Sequence, residues 1–192
     1  LKVSEMIYQH SFVDEKSGDT FFKDFLREEK AMARLYEDFL FNFYKREQRR
    51  FSVKRENIEW HTVEESADQH LLPIMRTDIS LQSEDIKLVI DAKYYQKTLT
   101  EHFGSRRVNS SNLYQIFSYL KNLEMDERNP LNRDCSGMLL YPRVDQDINA
   151  SYKFGQHEVR IKTIDLYQDW RLISEELLNL LPSSKHALSS TG

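Results

Sequence analysis

The 192-residue sequence is poor in cysteine, glycine and proline, and each scarcity excludes a class of structure. Its single cysteine, Cys135, cannot form an internal disulfide, which favours the reducing cytoplasm over an oxidising compartment. With 5 Gly and 4 Pro, no long flexible linker or low-complexity region is evident. No run of residues is long and apolar enough to span a membrane, and no secretory signal opens the chain. The sequence therefore predicts a cytoplasmic globular protein without a membrane contact.

Positive charge is also in short supply. Lys and Arg number 27 against 31 Asp and Glu, and the formal net charge at pH 7 is −4. A protein that holds nucleic acid by bulk electrostatics needs excess positive charge, because its affinity comes from neutralising phosphates and releasing their counterions. If this chain acts on DNA, a local basic patch or a separate partner must therefore supply much of the affinity.

The chain divides into three parts by pattern. It begins at Leu1 and not at Met, and residues 1–19 are interpreted as an extension that ends a preceding region. Residues 20–182 carry the apolar periodicity of one folded domain. The last stretch, residues 183–192 (SSKHALSSTG), is polar and without periodicity, which predicts a disordered tail.

Apolar spacing predicts the secondary structure of the middle part. Residues 75–81 alternate between apolar and polar side chains, so Met75, Ile79 and Leu81 are expected on one face of a strand. The predicted elements, in chain order, are a helix at 21–47, short strands at 50–55 and 57–63, strands at 75–81 and 86–95, a helix capped by Ser110 or Ser111, strands at 137–142 and 157–166, and a helix at 169–181. This order predicts an α/β fold in which helices flank a mixed sheet.

Two aspartates and a lysine interrupt the two central strands. If the chain turns about residues 83–85, strand pairing places Asp78 opposite Asp91, with Cβ atoms roughly 5 Å apart. Two carboxylates at that distance repel by about 3 kcal/mol at an effective dielectric of about 20. Lys93 follows Asp91 on the same face, because side chains alternate along a strand. Two acids and one amine are therefore expected to converge on one face of the sheet.

A divalent metal ion would compensate these charges. Mg²⁺ prefers hard oxygen ligands, keeps several waters and binds substrate phosphate as well. Asp78 and Asp91 are the candidate carboxylate ligands, and the backbone carbonyl of Ala92 is a third candidate. A metal there can polarise a phosphodiester while Lys93 positions or activates the attacking water. The alternative is a salt bridge among the three side chains on a solvated face, because the Asp…Asp-x-Lys pattern is short.

Further candidate residues surround the hairpin. Glu37 lies in the middle of the first helix, in RLYEDFLFNFY, where it either joins the carboxylates or is a solvated helix charge. Gln115 and Tyr119 are four residues apart in LYQIFSYL and share a helix face. That face either reaches the carboxylates or a DNA backbone, or is an amphipathic edge. Arg106 and Arg107, just before this helix, are candidates for phosphate contact.

The densest basic run is YKREQRRFSVKRE, at residues 44–56. Its cations either contact DNA phosphates beside the site or complement the carboxyl-terminal end of the first helix dipole. The six histidines and the single cysteine have no zinc-like spacing, so the carboxylates remain the predicted metal ligands.

Four stretches together resemble the PD-(D/E)xK nuclease superfamily, namely LYEDFLFNFY, MRTDISL, LVIDAKYY and NLYQIFSYL. They supply a helix glutamate, an aspartate on one strand, Asp-Ala-Lys on the next strand and a QxxxY motif. Thr77 stands where the superfamily's name has proline. Within the superfamily these stretches are most similar to the McrC family, the nuclease subunits of McrBC modification-dependent restriction systems.

The resemblance implies a fold, a set of site residues and partners. The implied fold is the restriction-endonuclease-like mixed sheet flanked by helices. The implied roles are metal ligation by Asp78 and Asp91, catalysis by Lys93, and catalytic support from Glu37 and Gln115. The implied activity is Mg²⁺-dependent cleavage of double-stranded DNA marked by modified cytosine, with Mn²⁺ able to substitute.

A partner follows from the same resemblance. McrC-like proteins dock on McrB, a GTP-hydrolysing AAA+ motor, through an amino-terminal region for which this chain looks too short. The chain has no G-x-x-x-x-G-K-[ST] phosphate loop, so no nucleotide is expected to bind to it. The motor and its reader domain would then find and hold the DNA, which fits the negative net charge.

Two other functions use the same residues. A nuclease of this superfamily can serve in repair or junction cleavage, and a non-catalytic DNA-binding or assembly module can be built on the same fold. Intact Asp78, Asp91 and Lys93 favour a nuclease over the non-catalytic module.

Overall fold

The computed structural model describes residues 19–62, 68–94, 100–102, 105–144 and 146–184. The helices in these ranges are α1 (Asp19–Glu47), α2 (Ser110–Met125) and α3 (Trp170–Asn179), with 3₁₀ turns at Gln69–Leu71 and Pro130–Asn132. The strands are β1 (Ser52–Lys54), β2 (Asn57–Ile58), β3 (Met75–Arg76), β4 (Ile79–Gln82), β5 (Lys87–Ala92), β6 (Thr100–His102), β7 (Ser105–Arg107), β8 (Ser136–Pro142), β9 (Asn149–Phe154) and β10 (His157–Ile164). None of the helices in these ranges is long and apolar enough to cross a lipid bilayer.

Six strands form one mixed sheet in the order β1-β4-β5-β8-β10-β9. The pairs β5–β8 and β8–β10 are parallel, whereas β1–β4, β4–β5 and β9–β10 are antiparallel. Two small sheets, β2–β3 and β6–β7, complete the described strands. The predicted fold class, a mixed sheet flanked by helices, is confirmed.

The helices cover the sheet from both sides. On one face, α1 and α3 contribute Tyr36, Leu40 and Leu177 to an apolar core that includes Leu88 and Ile90 of β5. On the other face, α2 packs Ile116, Leu120 and Leu123 against Val89 of β5 and Leu139 of β8. Strand β5 is therefore buried on both faces, and a charged side chain in it is held far from bulk water.

Close approach of α2 to the sheet depends on Gly137 in β8. A Cβ atom at this position would lie 2.8 Å from Ile116 Cγ1 and 3.0 Å from Leu120 Cδ1. Because contacts this short force neighbouring atoms to move, glycine allows the helix to lie directly on β8. This packing fixes the height of α2 above the sheet and thereby positions the side chains of its first turns.

The prediction of one continuous strand at 75–81 is wrong. Met75 belongs to β3, which pairs with β2, and its side chain lies in the core beneath α2. Ile79 and Leu81 belong to β4, and they lie in the core beneath α1. The chain changes partner between these strands at Thr77, whose backbone N–H donates to the Glu56 carbonyl at 2.9 Å. Met75 therefore faces away from Ile79 and Leu81.

The predicted caps of the second helix are also wrong. Asn109 caps α2, because its side-chain oxygen accepts from the backbone N–H of Ser111 at 3.0 Å. The proposed limits of the domain stay predictions, since residues 1–18 and 185–192 lie outside the described ranges.

Candidate functional site

The hairpin of β4 and β5 has the predicted register. Ile79 pairs with Ile90 and Gln82 pairs with Lys87, and the backbone N–H of Ser83 donates to the Ile86 carbonyl at 2.9 Å to close the turn. One step beyond the Ile79–Ile90 pair, Asp78 lies opposite Asp91. The two aspartates therefore face each other because of the turn and the ladder, which are local features of the sequence.

Each acid is held in place by the neighbouring strand or side chain. Oδ2 of Asp78 accepts a hydrogen bond from the backbone N–H of Ala92 at 2.8 Å. Oδ2 of Asp91 lies 2.8 Å from Nζ of Lys93, and the Asp91 side chain is 1% exposed. The Asp78 side chain also interacts with the Asp91 carboxylate. One lysine thus compensates the charge of a buried carboxylate.

A chain of hydrogen bonds runs from Lys93 to the backbone of β3. Nζ of Lys93 donates to Oε1 of Gln115 at 2.9 Å, and Nε2 of Gln115 donates to the Tyr119 hydroxyl at 2.7 Å. The Tyr119 hydroxyl donates in turn to the carbonyl of Arg76 at 3.1 Å. The amine of Lys93 is therefore oriented by α2. The four-residue spacing of Gln115 and Tyr119 places both side chains where they can form this chain.

Burial makes the two aspartates poor acids. It raises the pKa of Asp91 to about 7, with Lys93 opposing the rise and Asp78 adding to it. Burial also raises the pKa of Asp78, against the hydrogen bond from Ala92 and the charge of Lys93. At neutral pH, complete ionisation of both groups requires more positive charge than Lys93 alone provides.

Glu37 on α1 lies beside the same carboxylates. Burial raises the pKa of Glu37, and the charge of Asp78 raises it further. The residue lines a groove of about 260 Å³ between α1 and the end of β5. The other residues of this groove are Glu29, Lys30, Ala33, Ala92, Lys93 and Tyr94. Helix α1 thus brings a third acid to the edge of the Asp78–Asp91 pair.

The donor set fits a hard divalent cation that keeps part of its own shell. Asp78 and Asp91 supply carboxylate oxygens that are largely buried and have Lys93 as a shared cation. Among the described residues, no three side chains of His, Cys, Asp or Glu converge to form a closed cage. A two-carboxylate site is typical of Mg²⁺, which keeps several waters and shares substrate phosphates.

Comparison with known proteins identifies the family. Residues 1–142 match the family described as McrBC 5-methylcytosine restriction system component. The chain belongs to this family. It is also 33% identical over 181 residues to the type IV methyl-directed restriction enzyme EcoKMcrBC of Escherichia coli strain K12. That alignment covers 94% of this chain and 51% of the relative, so the chain spans about half the length of the curated relative that it matches.

Membership of the McrBC family confirms the resemblance seen in the motifs. The family is that of McrBC restriction system components, and the relative that the chain matches is a restriction enzyme. The matched region includes the residues that converge in the structure, which are Glu37, Asp78, Asp91, Lys93, Gln115 and Tyr119.

The residues predicted to contact DNA have different outcomes in the McrBC-family structure. Tyr119 is 5% exposed and its hydroxyl bonds to Gln115 and to the Arg76 carbonyl, and a DNA contact by Tyr119 stays a prediction. Arg107 is exposed at the end of β7. The side chain of Arg106 lies outside the described part of the structure. Phosphate contact by Arg106 and Arg107 stays a prediction.

Sequence reasoning missed a buried ion pair at the turn end of β5, the end opposite to Asp91. Nζ of Lys87 donates to Glu56 at 3.0 Å and to Asn132 at 2.6 Å, and its side chain is fully buried. Glu56 also accepts from the hydroxyl of Ser80 at 2.8 Å, and its backbone N–H donates to the hydroxyl of Thr77 at 2.9 Å. Glu56 therefore bonds to residues before and after Asp78 in the sequence. The alternation of Lys87 with Val89 and Asp91 along β5 indicates which face of the strand Lys87 is on. No local pattern indicates that Glu56 is its partner.

Metal binding at this site should be visible as a change in thermal stability. A cation that binds the folded state selectively stabilises it by about 2.7 kcal/mol at 100 times its Kd. We expect millimolar Mn²⁺ to raise the melting temperature of the wild-type chain by several degrees and to leave Asp78→Asn almost unchanged. Asp85→Asn, at the turn of the same hairpin, is the matched control and should retain the full shift. An equal shift in wild type and Asp78→Asn would place the metal elsewhere.

Proposed function

We propose that this chain provides the DNA-cleaving centre of a McrBC-type restriction system. The observation that carries the proposal is the convergence of Asp78, Asp91 and Lys93 at one end of a buried hairpin, where two buried carboxylates share one ammonium group. The proposed reaction is hydrolysis of a phosphodiester in double-stranded DNA that carries modified cytosine. The proposed compartment is the cytoplasm.

Asp78 and Asp91 would hold Mg²⁺ or Mn²⁺, with the carbonyl of Ala92 as an additional oxygen ligand. A bound cation supplies Lewis-acid polarisation of the phosphate that is cut. Lys93 directs its ammonium group toward the same space and stabilises negative charge that develops on the phosphate. Gln115 holds Lys93 in this orientation, because its amide oxygen accepts from Nζ at 2.9 Å.

Glu37 and Tyr119 have supporting roles in this proposal. Glu37 faces the groove beside Ala92 and Lys93, where a half-buried carboxylate can orient a water molecule. Tyr119 fixes the amide of Gln115 by a hydrogen bond of 2.7 Å. Both side chains act on groups that touch the phosphate, and their replacement is expected to slow cleavage less than loss of Asp91.

DNA selection is proposed to come from a partner. The net charge of −4 limits the affinity that counterion release can provide. We propose that an AAA+ GTPase of the same system recruits and selects the DNA, as the family resemblance implies. No nucleotide would bind to this chain, which has no G-x-x-x-x-G-K-[ST] phosphate loop.

The chain alone should therefore bind methylated and unmodified duplexes with similar, weak and salt-sensitive affinity. A fluorescence anisotropy titration of paired oligonucleotides that differ in cytosine methylation alone is the measurement. The two dissociation constants should agree within about threefold, which corresponds to less than about 0.7 kcal/mol. A preference of tenfold or more for the methylated duplex would show that this chain itself recognises the methylated base.

A further inference from the structure

The fold brings only part of the basic run at residues 44–56 close to the carboxylates. Lys45 and Arg46 lie in the last turn of α1, and Arg50 lies two residues before β1, near the hairpin turn. Arg55 lies at the opposite end of β1, which is the end nearest to Asp78. Of these cations, Arg55 is the one that the sheet carries to the carboxylates.

Strand pairing fixes the position of Arg55. Lys54 pairs with Ser80 in the β1–β4 ladder, and the Glu56 carbonyl accepts from the N–H of Thr77 at 2.9 Å. Arg55 is therefore level with Ile79, the residue after Asp78, and adjacent strands lie about 5 Å apart. Because side chains alternate, Arg55 shares the face of Val53 and points toward α1.

The side chain of Arg55 rests on the turn of α1 that carries Glu37. Its guanidinium carbon lies 4.7 Å from the centre of the Phe41 ring, and it forms an ion pair with Asp38. Asp38 follows Glu37 directly, and Phe41 lies one helical turn after it. Phe41 thus forms a flat platform that holds the guanidinium beside the Glu37 carboxylate.

The same arginine acts on the acids of the site. The positive charges of Lys93 and Arg55 both favour the ionised forms of Glu37 and Asp78. Lys93 and Arg55 come from different strands, so the acids have a cation on β1 as well as one at the end of β5. A DNA backbone that crosses this acidic centre needs cations to counter its repulsion.

We propose that Arg55 binds a DNA backbone phosphate next to the one that is cut, with Phe41 as its platform. The proposal rests on the proposed function, because it takes the Asp78–Asp91 centre as the place where DNA binds. A guanidinium presents paired donors that match two phosphate oxygens, and ring stacking holds it in that plane. The Asp38 side chain is 58% exposed, so a phosphate can replace it without leaving a buried charge unpaired.

Arg50 provides a matched control. Its guanidinium carbon also lies 4.7 Å from the centre of a phenylalanine ring, that of Phe51, and it also faces an aspartate, Asp85 at 3.7 Å. It differs from Arg55 in lying at the turn end of the hairpin, away from the carboxylates. Replacement of each arginine by glutamine removes the same charge and the same kind of stacking from two different places.

The test is a salt-dependent anisotropy titration of a labelled 30-base-pair duplex, at about 50 to 200 mM salt. Arg55→Gln should weaken binding at least fivefold at the lowest salt and reduce the slope of log K against log salt by about one. Arg50→Gln should stay within twofold of wild type and retain the wild-type slope. Arg55→Lys keeps the charge but lacks the paired donors, so its DNA affinity should lie between those of Arg55→Gln and Arg50→Gln.

Asp38→Asn separates phosphate binding from a structural ion pair. It breaks the same pair while leaving the arginine in place, so it should bind DNA at least as tightly as wild type. Equal weakening in Asp38→Asn and Arg55→Gln, or equal affinity in Arg55→Gln and Arg50→Gln, would overturn the phosphate contact while the nuclease proposal stands. Failure of the wild-type chain to bind the duplex at any salt would instead contradict the proposed DNA-cleaving centre.

Discussion

Asp91→Asn should reduce DNA cleavage by about 1,000-fold or more, measured with the proposed AAA+ GTPase partner, GTP and Mg²⁺ present. A loss of this size corresponds to about 4 kcal/mol of transition-state stabilisation. The physical reason is that Asn keeps the shape of the side chain but removes the charge that faces Asp78 and Lys93. Lys93→Ala should have a similar effect, because it removes the amine directed into the same space.

A thermal unfolding measurement of Asp91→Asn distinguishes loss of catalysis from loss of the fold. Burial raises the pKa of Asp91 to about 7 from its usual 3.8, so the folded state holds a proton that the unfolded state releases between these pH values. The apo protein therefore loses stability as the pH rises through this range. Asp91→Asn removes this penalty and should melt at or above the wild-type temperature at pH 8 without metal.

The control is Asp85→Asn, which changes an aspartate of the same hairpin at its turn, where Asp85 bonds to Ser83 and Ser184. Its cleavage rate should stay within threefold of wild type. Cleavage retained in Asp91→Asn or Lys93→Ala would falsify the catalytic assignment.

Glu56→Gln should produce the largest loss of stability, about 3 kcal/mol. The substitution leaves Lys87 fully buried without a carboxylate partner, and breaking such a pair from one side typically costs about 3–5 kcal/mol. For a chain of this size, the loss corresponds to a decrease in melting temperature of about 6–12 °C. Thermal unfolding at pH 7 in the absence of metal is the measurement.

The effect of Glu56→Gln should depend on pH. Burial opposes ionisation of Glu56, but the bonds from Lys87 and Ser80 outweigh it and hold its pKa below the usual 4.5. A lowered carboxyl pKa stabilises the folded state above that usual value and ceases to do so as the pH falls through the lowered one. The difference between Glu56→Gln and wild type should therefore shrink in acid.

Glu59→Gln is the matched control for Glu56→Gln. Glu59 is three residues away and pairs with Arg128 at 3.2 Å, but both side chains are about 70% exposed. Exposed pairs contribute between 0 and about 1 kcal/mol, so this variant should melt within about 2 °C of wild type. Equal melting temperatures for Glu56→Gln and Glu59→Gln would show that Lys87 does not depend on its partner.

The carboxylate hairpin was predictable because its determinants are local. The turn at 83–85 and the alternation of apolar residues set the register, and the register sets Asp78 opposite Asp91. Glu37 and Gln115 required more than local pattern, because α1 and α2 must pack on opposite faces of the sheet before either side chain reaches the hairpin. The family resemblance supplied that long-range information.

Other features could not be predicted from pattern. Strand β9 was missed because it lies at the sheet edge, where Tyr152 and Lys153 are exposed and no apolar alternation marks the strand. The Glu56–Lys87 pair joins residues 31 positions apart, and neither type is expected in a core. Spacing shows that Gln115 and Tyr119 share a helix face, but it does not show that Tyr119 is as deeply buried as it is.

The most direct test of the central claim is the metal dependence of cleavage by the wild-type chain with the proposed GTPase partner. A methylated plasmid is incubated with GTP and EDTA, and Mg²⁺ is then added in excess during the time course. Because the partner also needs Mg²⁺ for nucleotide, GTP hydrolysis is followed in parallel with Asp91→Asn as the reference. The account predicts no cleavage in EDTA, cleavage after Mg²⁺ addition in wild type, and GTP hydrolysis without cleavage in Asp91→Asn. Cleavage in EDTA, or cleavage by Asp91→Asn at the wild-type rate, would contradict a metal-dependent centre at Asp78, Asp91 and Lys93.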